Sequence, residues 1–214
     1  MSTREILVWI LLVMEGIAFL ASLIFFGRLK RSGFGFIFFL MLAIMVSEII
    51  GKLIASGTVT FMENAHWFNI MIPVQFTFMF LLFYQNSSFR YWRRALMVII
   101  ATAILFCVYA IISGNKQFDT RNYTILAALV CLACLHFLYE CMNSKLIAIH
   151  RNPLFYLALG SLLFYMVTLP LRAMYDFLPQ LYERVFWTSY YLSFALNYIM
   201  YSLITFGIVW MKRK

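Results

Sequence analysis

The chain has 214 residues, of which 64% are hydrophobic, 19% aromatic and only 12% charged, with a formal net charge of +9. That charged share is about half of what an ordinary soluble domain carries, and a water-soluble globule could not hide so much apolar surface. Charged residues cluster between apolar runs of about 20 residues, the length at which an α-helix crosses a hydrocarbon core about 30 Å thick. The sequence therefore predicts an all-α polytopic membrane protein, a seven-helix transmembrane bundle.

The first span is predicted over 6–26 and carries Glu15 at its centre. It is too long for the apolar core of a secretory signal, has only Arg4 ahead of it and shows no small-residue cleavage site, so it is expected to stay as a helix. The second span, 34–55, holds Glu48 and Lys52 one turn apart; the third, 66–84, holds Pro73 two residues before Gln75. The fourth, 95–112, is apolar, and the fifth, 123–142, contains Cys131, Cys134, His136, Glu140 and Cys141. The sixth, 153–175, carries Tyr165, Pro170 and Arg172, and the seventh, 187–211, carries Asn197. The runs are continuous, unlike the alternating segments of about ten residues in a β-barrel. With short connections, 1–214 reads as a single membrane domain.

Basic residues alternate between the two sides. Arg28, Lys30 and Arg31, then Arg90, Arg93 and Arg94, then Lys145 and Arg151, then Lys212, Arg213 and Lys214 make 11 of the 17 basic residues, in four segments without an acidic residue. The opposite connections hold Arg4, Lys116, Arg121 and Arg184 beside Glu5, Glu63, Asp119, Asp176 and Glu183. The positive-inside rule then predicts an N-terminus outside and a C-terminus in the cytoplasm. The net charge is largely this topology signal. Its clusters suit the anionic lipid head groups of the bilayer rather than nucleic acid, which is not an expected partner.

Polar groups inside the spans are costly and normally face the bundle interior. Glu15, Glu48, Lys52, Gln75, Arg172 and Asn197 converge on the central and outer half, with Tyr165 beside them, and form the candidate ligand-binding set. Tyr190, Tyr191, Tyr198 and Tyr201 are further candidate lining residues. Pro73 and Pro170, which remove helical hydrogen bonds, point to the same region. The structural alternative is neutralisation within helices, Glu48 with Lys52 and Arg172 with Asp176, plus hydrogen bonds between helices. Glu15 fits that alternative least, having no partner on its own helix. His136 and Glu140 read as structural, with Glu140 snorkelling toward Lys145 or interfacial water. The four cysteines fall inside spans and suggest no disulfide. Cys131, Cys134 and His136 lack the second ligand pair of a zinc site, so no metal or cofactor is expected.

Shifting the chain by 120 residues sets Lys52 on Arg172 and Trp67 on Trp187, and brings Gln75 within two residues of Asn197. That admits a three-one-three parallel repeat about the fourth span. The strings His66-Trp67-x-Asn69, Asn152-Pro153-Leu154-Phe155 through Gly160 to Phe164-Tyr165 and Leu169-Pro170, and Asn197-x-Ile199-Met200-Tyr201 before Phe206-Gly207 resemble a family of small seven-span membrane proteins abundant in Bacteroidota. The resemblance covers nearly the whole chain. It implies a bacterial inner membrane and this topology, and implies no activity. The family commonly has Glu where this chain has Gln75, so a carboxylate there is not essential to this member.

Several functions remain open. A receptor-like or sensory module would bind a small molecule or lipid from outside and, with no output domain expected in the chain, act through an unknown protein partner. A lipid-modifying membrane enzyme would need Glu15 and Glu48 at one substrate, since no zinc-type histidine cluster or Gly-x-Ser-x-Gly elbow exists and no catalytic residue is assigned. A small-solute transporter of the parallel-repeat kind would carry a Pro-Gln pair within a span, whereas Pro179-Gln180 falls in a connection. A retinal protein is excluded because span seven has no lysine before Lys212.

Overall fold

The computed structural model describes residues 3–60, 62–114, 117–143, 149–177 and 182–211, without the side chains of 3, 4, 150, 172–177, 182–186 and 189. Among the described residues eight α-helices succeed one another, with a short 3-10 turn at Ile149–Arg151 before the seventh: α1 (Thr3–Ile24), α2 (Phe26–Arg31), α3 (Phe36–Ala55), α4 (Asn64–Asn86), α5 (Arg90–Ser113), α6 (Thr120–Asn143), α7 (Pro153–Phe177) and α8 (Tyr182–Val209). No strand occurs among the described residues. Seven of the helices, all but the six-residue α2, are long and apolar enough to cross a membrane. The protein is an all-α, multi-pass membrane bundle.

Two of the boundaries that differ from the sequence expectation do so for one reason. Arg28, Lys30 and Arg31 lie in the helical turn α2 rather than in a loop, and α5 begins at Arg90, five residues before the predicted 95. Arginine and lysine are good helix formers whose long stems cover apolar surface while their heads stay wet, so the helices run on past the apolar core. At its other end α5 stops at Gly114, whose φ of +57° is the left-handed conformation that closes many helices. Pro73 and Pro170 both lie inside unbroken helices, α4 and α7.

Six helices close a ring in which α1 packs on α3, α3 on α4, α4 on α6, α6 on α7, α7 on α8, and α8 on α1. Helix α5 stays outside, lying mainly against α4. The predicted repeat would map α1, α3 and α4 onto α6, α7 and α8, and each pairing in one half has its counterpart in the other, with α5 as the linker. The matched tryptophans do not share a role. Trp67 Nε1 donates to the Ser47 carbonyl (3.0 Å), whereas Trp187 meets Tyr190 edge to face and stacks on Tyr191.

Hydrogen bonds tie each end of the bundle. At the end carrying Arg28, Arg90, Arg93 and Arg94, Ser87 Oγ donates to Glu140 Oε1 (2.6 Å) and the Ser88 N–H to Glu140 Oε2 (3.3 Å). His136 Nδ1 lies 3.5 Å from the same carboxylate, and its ring stacks on Trp92 with centroids 4.2 Å apart. Glu140 is therefore buried and does not snorkel; the turn between α4 and α5 needs an acceptor there for the buried Ser87 hydroxyl. Lys145, its expected alternative, lies outside the described residues. At the opposite end Asn69 donates from Nδ2 to the Gln117 carbonyl and accepts the Asp119 N–H at Oδ1, both at 2.8 Å. Asp119 then accepts the Asn122 N–H (3.0 Å), capping α6.

The ring is tight where glycines allow it. A Cβ on Gly160 would lie 3.1 Å from the Met200 Cα, and one on Gly207 would lie 2.9 Å from Tyr156, so α7 and α8 meet through small residues as membrane helices do.

Candidate functional site

The ring surrounds a half-open cavity of about 440 Å³, within the ~300–1,000 Å³ range of small-molecule sites. Each wall is a helical stripe repeating every three or four residues, the spacing that keeps side chains on one face. Leu11 and Glu15 come from α1; Leu40, Met41, Ile44 and Glu48 from α3; Phe68, Ile72, Gln75 and Met79 from α4. Leu157, Ser161, Phe164 and Tyr165 come from α7, and Asn197, Met200, Tyr201 and Ile204 from α8. Phe118 and Tyr123, at the start of α6, complete the lining.

The polar groups meet at mid-depth. Glu15 is nine residues from the end of α1, about 14 Å along its axis at 1.5 Å per residue. It is only 4% exposed, its carboxyl is hydrogen-bonded by Tyr201, and its Oε2 has no hydrogen-bond partner. Glu48 is close enough for the two charges to interact, and Lys52 is close enough to act on both. Toward the basic end the lining turns apolar, through Leu40, Met41, Met79, Leu157 and Ile204. Aromatic rings occupy much of the rest: Phe164 and Tyr165 meet edge to face at 4.9 Å, and Tyr123 lies 6.5 Å from Tyr165.

Five of the seven candidate residues thus line one cavity: Glu15, Glu48, Gln75, Tyr165 and Asn197. Lys52 is not among the lining residues. Its Nζ, buried and without a hydrogen bond, reaches 4.7 Å from the Trp9 ring and does not close the pair with Glu48 that the structural alternative would need. A four-carbon stem lets the ammonium leave the turn below and settle on an aromatic face. The side chain of Arg172 lies outside the described residues, as does that of Asp176. Among the candidate tyrosines, Tyr165 and Tyr201 line the cavity. Tyr198 donates to the Leu7 carbonyl (2.8 Å), and Tyr190 and Tyr191 join the Trp187 cluster.

Sequence reasoning missed Ser161, Phe164, Phe68, Phe118 and Tyr123 as lining residues. Ser161 was within reach, one helical turn before Tyr165, as was the pairing of Tyr201, one turn after Asn197, with Glu15. Cys131, Cys134 and Cys141 are buried, and none of the four cysteines is in a disulfide. Compared with known proteins, the chain matches no family model, no curated protein and no solved structure.

Proposed function

We propose that this protein is a receptor-like or sensory module of a bacterial inner membrane, a member of the small seven-span Bacteroidota family that its motifs resemble, and that it binds a small molecule or lipid in the ring cavity. Glu15 carries this reading. A buried acceptor left without a donor costs about 1–3 kcal/mol, and a residue serving only to join helices would have its oxygens used. Here one oxygen of a mid-depth carboxyl has no partner and belongs to a residue lining a void large enough for a ligand. The basic clusters support a cytoplasmic C-terminus and an outer side at the Asn69–Asp119 end. A fluorescent reporter joined after Met211 should then glow in bacterial cells, whereas an active alkaline phosphatase fusion there would reverse the orientation.

Binding is tested by thermal-shift screening of metabolites and lipids on the purified protein and on Ser161→Phe, which fills the cavity from α7. Compounds that stabilise the first and not the second are expected; equal responses throughout would remove the binding reading. A signal would leave through the basic end to a separate protein. A photocrosslinker at Tyr91, 84% exposed beside Arg90 and Arg93, should capture that partner in a ligand-dependent way, and identical adducts with and without ligand would speak against it.

One observation favours a second reading, a lipid-modifying enzyme: Glu15 and Glu48 line the same space, as general acid and base would need to. Labelled lysolipids and ether lipids should then give a product that Glu48→Gln abolishes, and its absence sets this reading aside.

A further inference from the structure

We infer that the ligand is a small organic ammonium with an apolar body, its cationic head held by Glu15 and Glu48 among aromatic rings. This rests on the cavity being a binding site, and adds the chemistry of what enters it.

Among the described residues, the charged side chains lining the cavity are Glu15 and Glu48, from two facing helices. Two carboxyls on one low-dielectric space repel each other unless a proton or a positive charge joins them. The nearby cation, Lys52, does not join them: its Nζ rests on Trp9, outside the lining, with no hydrogen bond to either carboxyl. Two carboxyls with one offset ammonium leave a place between them for a proton or a further cation, and an ammonium ligand would take that place. Glu15 Oε2 is the acceptor such a charge would use, being buried and without a partner. An N–H donor on the ligand would complete it, as the Tyr201 hydroxyl already serves this carboxyl.

The walls support a cation more than a neutral donor. Phe68, Tyr123, Phe164, Tyr165 and Tyr201 all face the void, and ring faces attract ammonium groups most strongly where water is excluded. Below the carboxyls the cavity is lined by aliphatic and thioether groups, which suit a hydrocarbon body and offer nothing to a second charge. A dicarboxylate, a phosphate or a sugar would meet repulsion at the head or leave hydroxyls without partners in that lower part.

The test uses the full chain in lipid nanodiscs, titrated calorimetrically with three probes of nearly equal shape: 2-phenylethylammonium, 2-phenylethanol and phenylacetate. Heats from empty nanodiscs are subtracted to remove partition into lipid. Saturable binding of the ammonium alone is expected, weakened about tenfold or more by Glu15→Gln, the loss that one charge-assisted hydrogen bond brings, and abolished by Ser161→Phe. Gln75→Glu, which adds a carboxyl to the same wall, should tighten it and guards against a Ser161→Phe chain that fails to fold. If phenylacetate or phenylethanol saturates as well as the ammonium, and Ser161→Phe removes that binding, the ammonium class is wrong and the binding-module reading stands. If the ammonium does not saturate, or saturates equally in Glu15→Gln and Gln75→Glu, the proposal is overturned; the broader reading falls with it only if the screened compounds also ignore Ser161→Phe.

Discussion

Single side chains divide here into those that hold the bundle and those left unsatisfied. Glu140 and Asn69 have both ends of their hydrogen-bonding capacity used, one on the turn after α4 and one on the turn before α6. Ser87→Ala should therefore cost ~1.5–3 kcal/mol, because it strips a buried carboxylate of its shortest hydrogen bond. Ser56→Ala, whose exposed hydroxyl bonds only its own turn and Thr58, should stay within about 0.5 kcal/mol. Unfolding curves of the two variants in one detergent would measure the difference, and equal losses would refute the anchoring role. Glu15, Glu48, Gln75 and Asn197 were legible in the sequence because a charge or amide in an apolar run has few places to go. Glu140 was legible as intramembrane and not as an anchor, since periodicity says nothing about which turn lacks an acceptor. Lys52 was misjudged because a flexible stem frees its head from the turn it springs from.

Helix packing is set as much by what is missing as by what is present. Gly207 and Gly160 let α8 and α7 approach until their backbones nearly touch neighbouring side chains, while a Cβ on Gly16 would meet nothing within 4 Å. Gly207→Ala should thus destabilise by ~1–3 kcal/mol through overpacking against Tyr156. Gly16→Ala should be neutral or stabilise by ~0.5–1 kcal/mol, through helix propensity alone. Paired unfolding measurements check both signs; a stabilising Gly207→Ala would mean that α7 and α8 are not so close. The existence of all seven spans followed from run length and hydropathy. Their ends did not, because basic residues that mark a membrane boundary are also good helix formers, as α2 and the start of α5 show.

The ring itself was beyond the sequence. In a soluble protein the apolar face of a helix points to the core, but lipid is as apolar as leucine, so the lipid-facing side of α1 and its cavity-facing side read alike except at Glu15. For the same reason nothing marked α5 as the helix left outside, although it is the span with no intramembrane charge or amide. Seen as a closed ring, the bundle keeps at its centre a carboxyl with one oxygen unpartnered, and stability and function make opposite demands there. The decisive measurement is the unfolding midpoint of Glu15→Gln in nanodiscs, with and without 2-phenylethylammonium. A ligand site predicts a midpoint equal to or above that of the unmodified chain, since glutamine keeps an acceptor for Tyr201 and cannot repel Glu48, together with an ammonium response weakened about tenfold or more. A midpoint lowered by more than about 4 °C, the size that 1 kcal/mol or more brings in a chain of this length, with the ammonium response intact, would make Glu15 a structural residue and contradict the site.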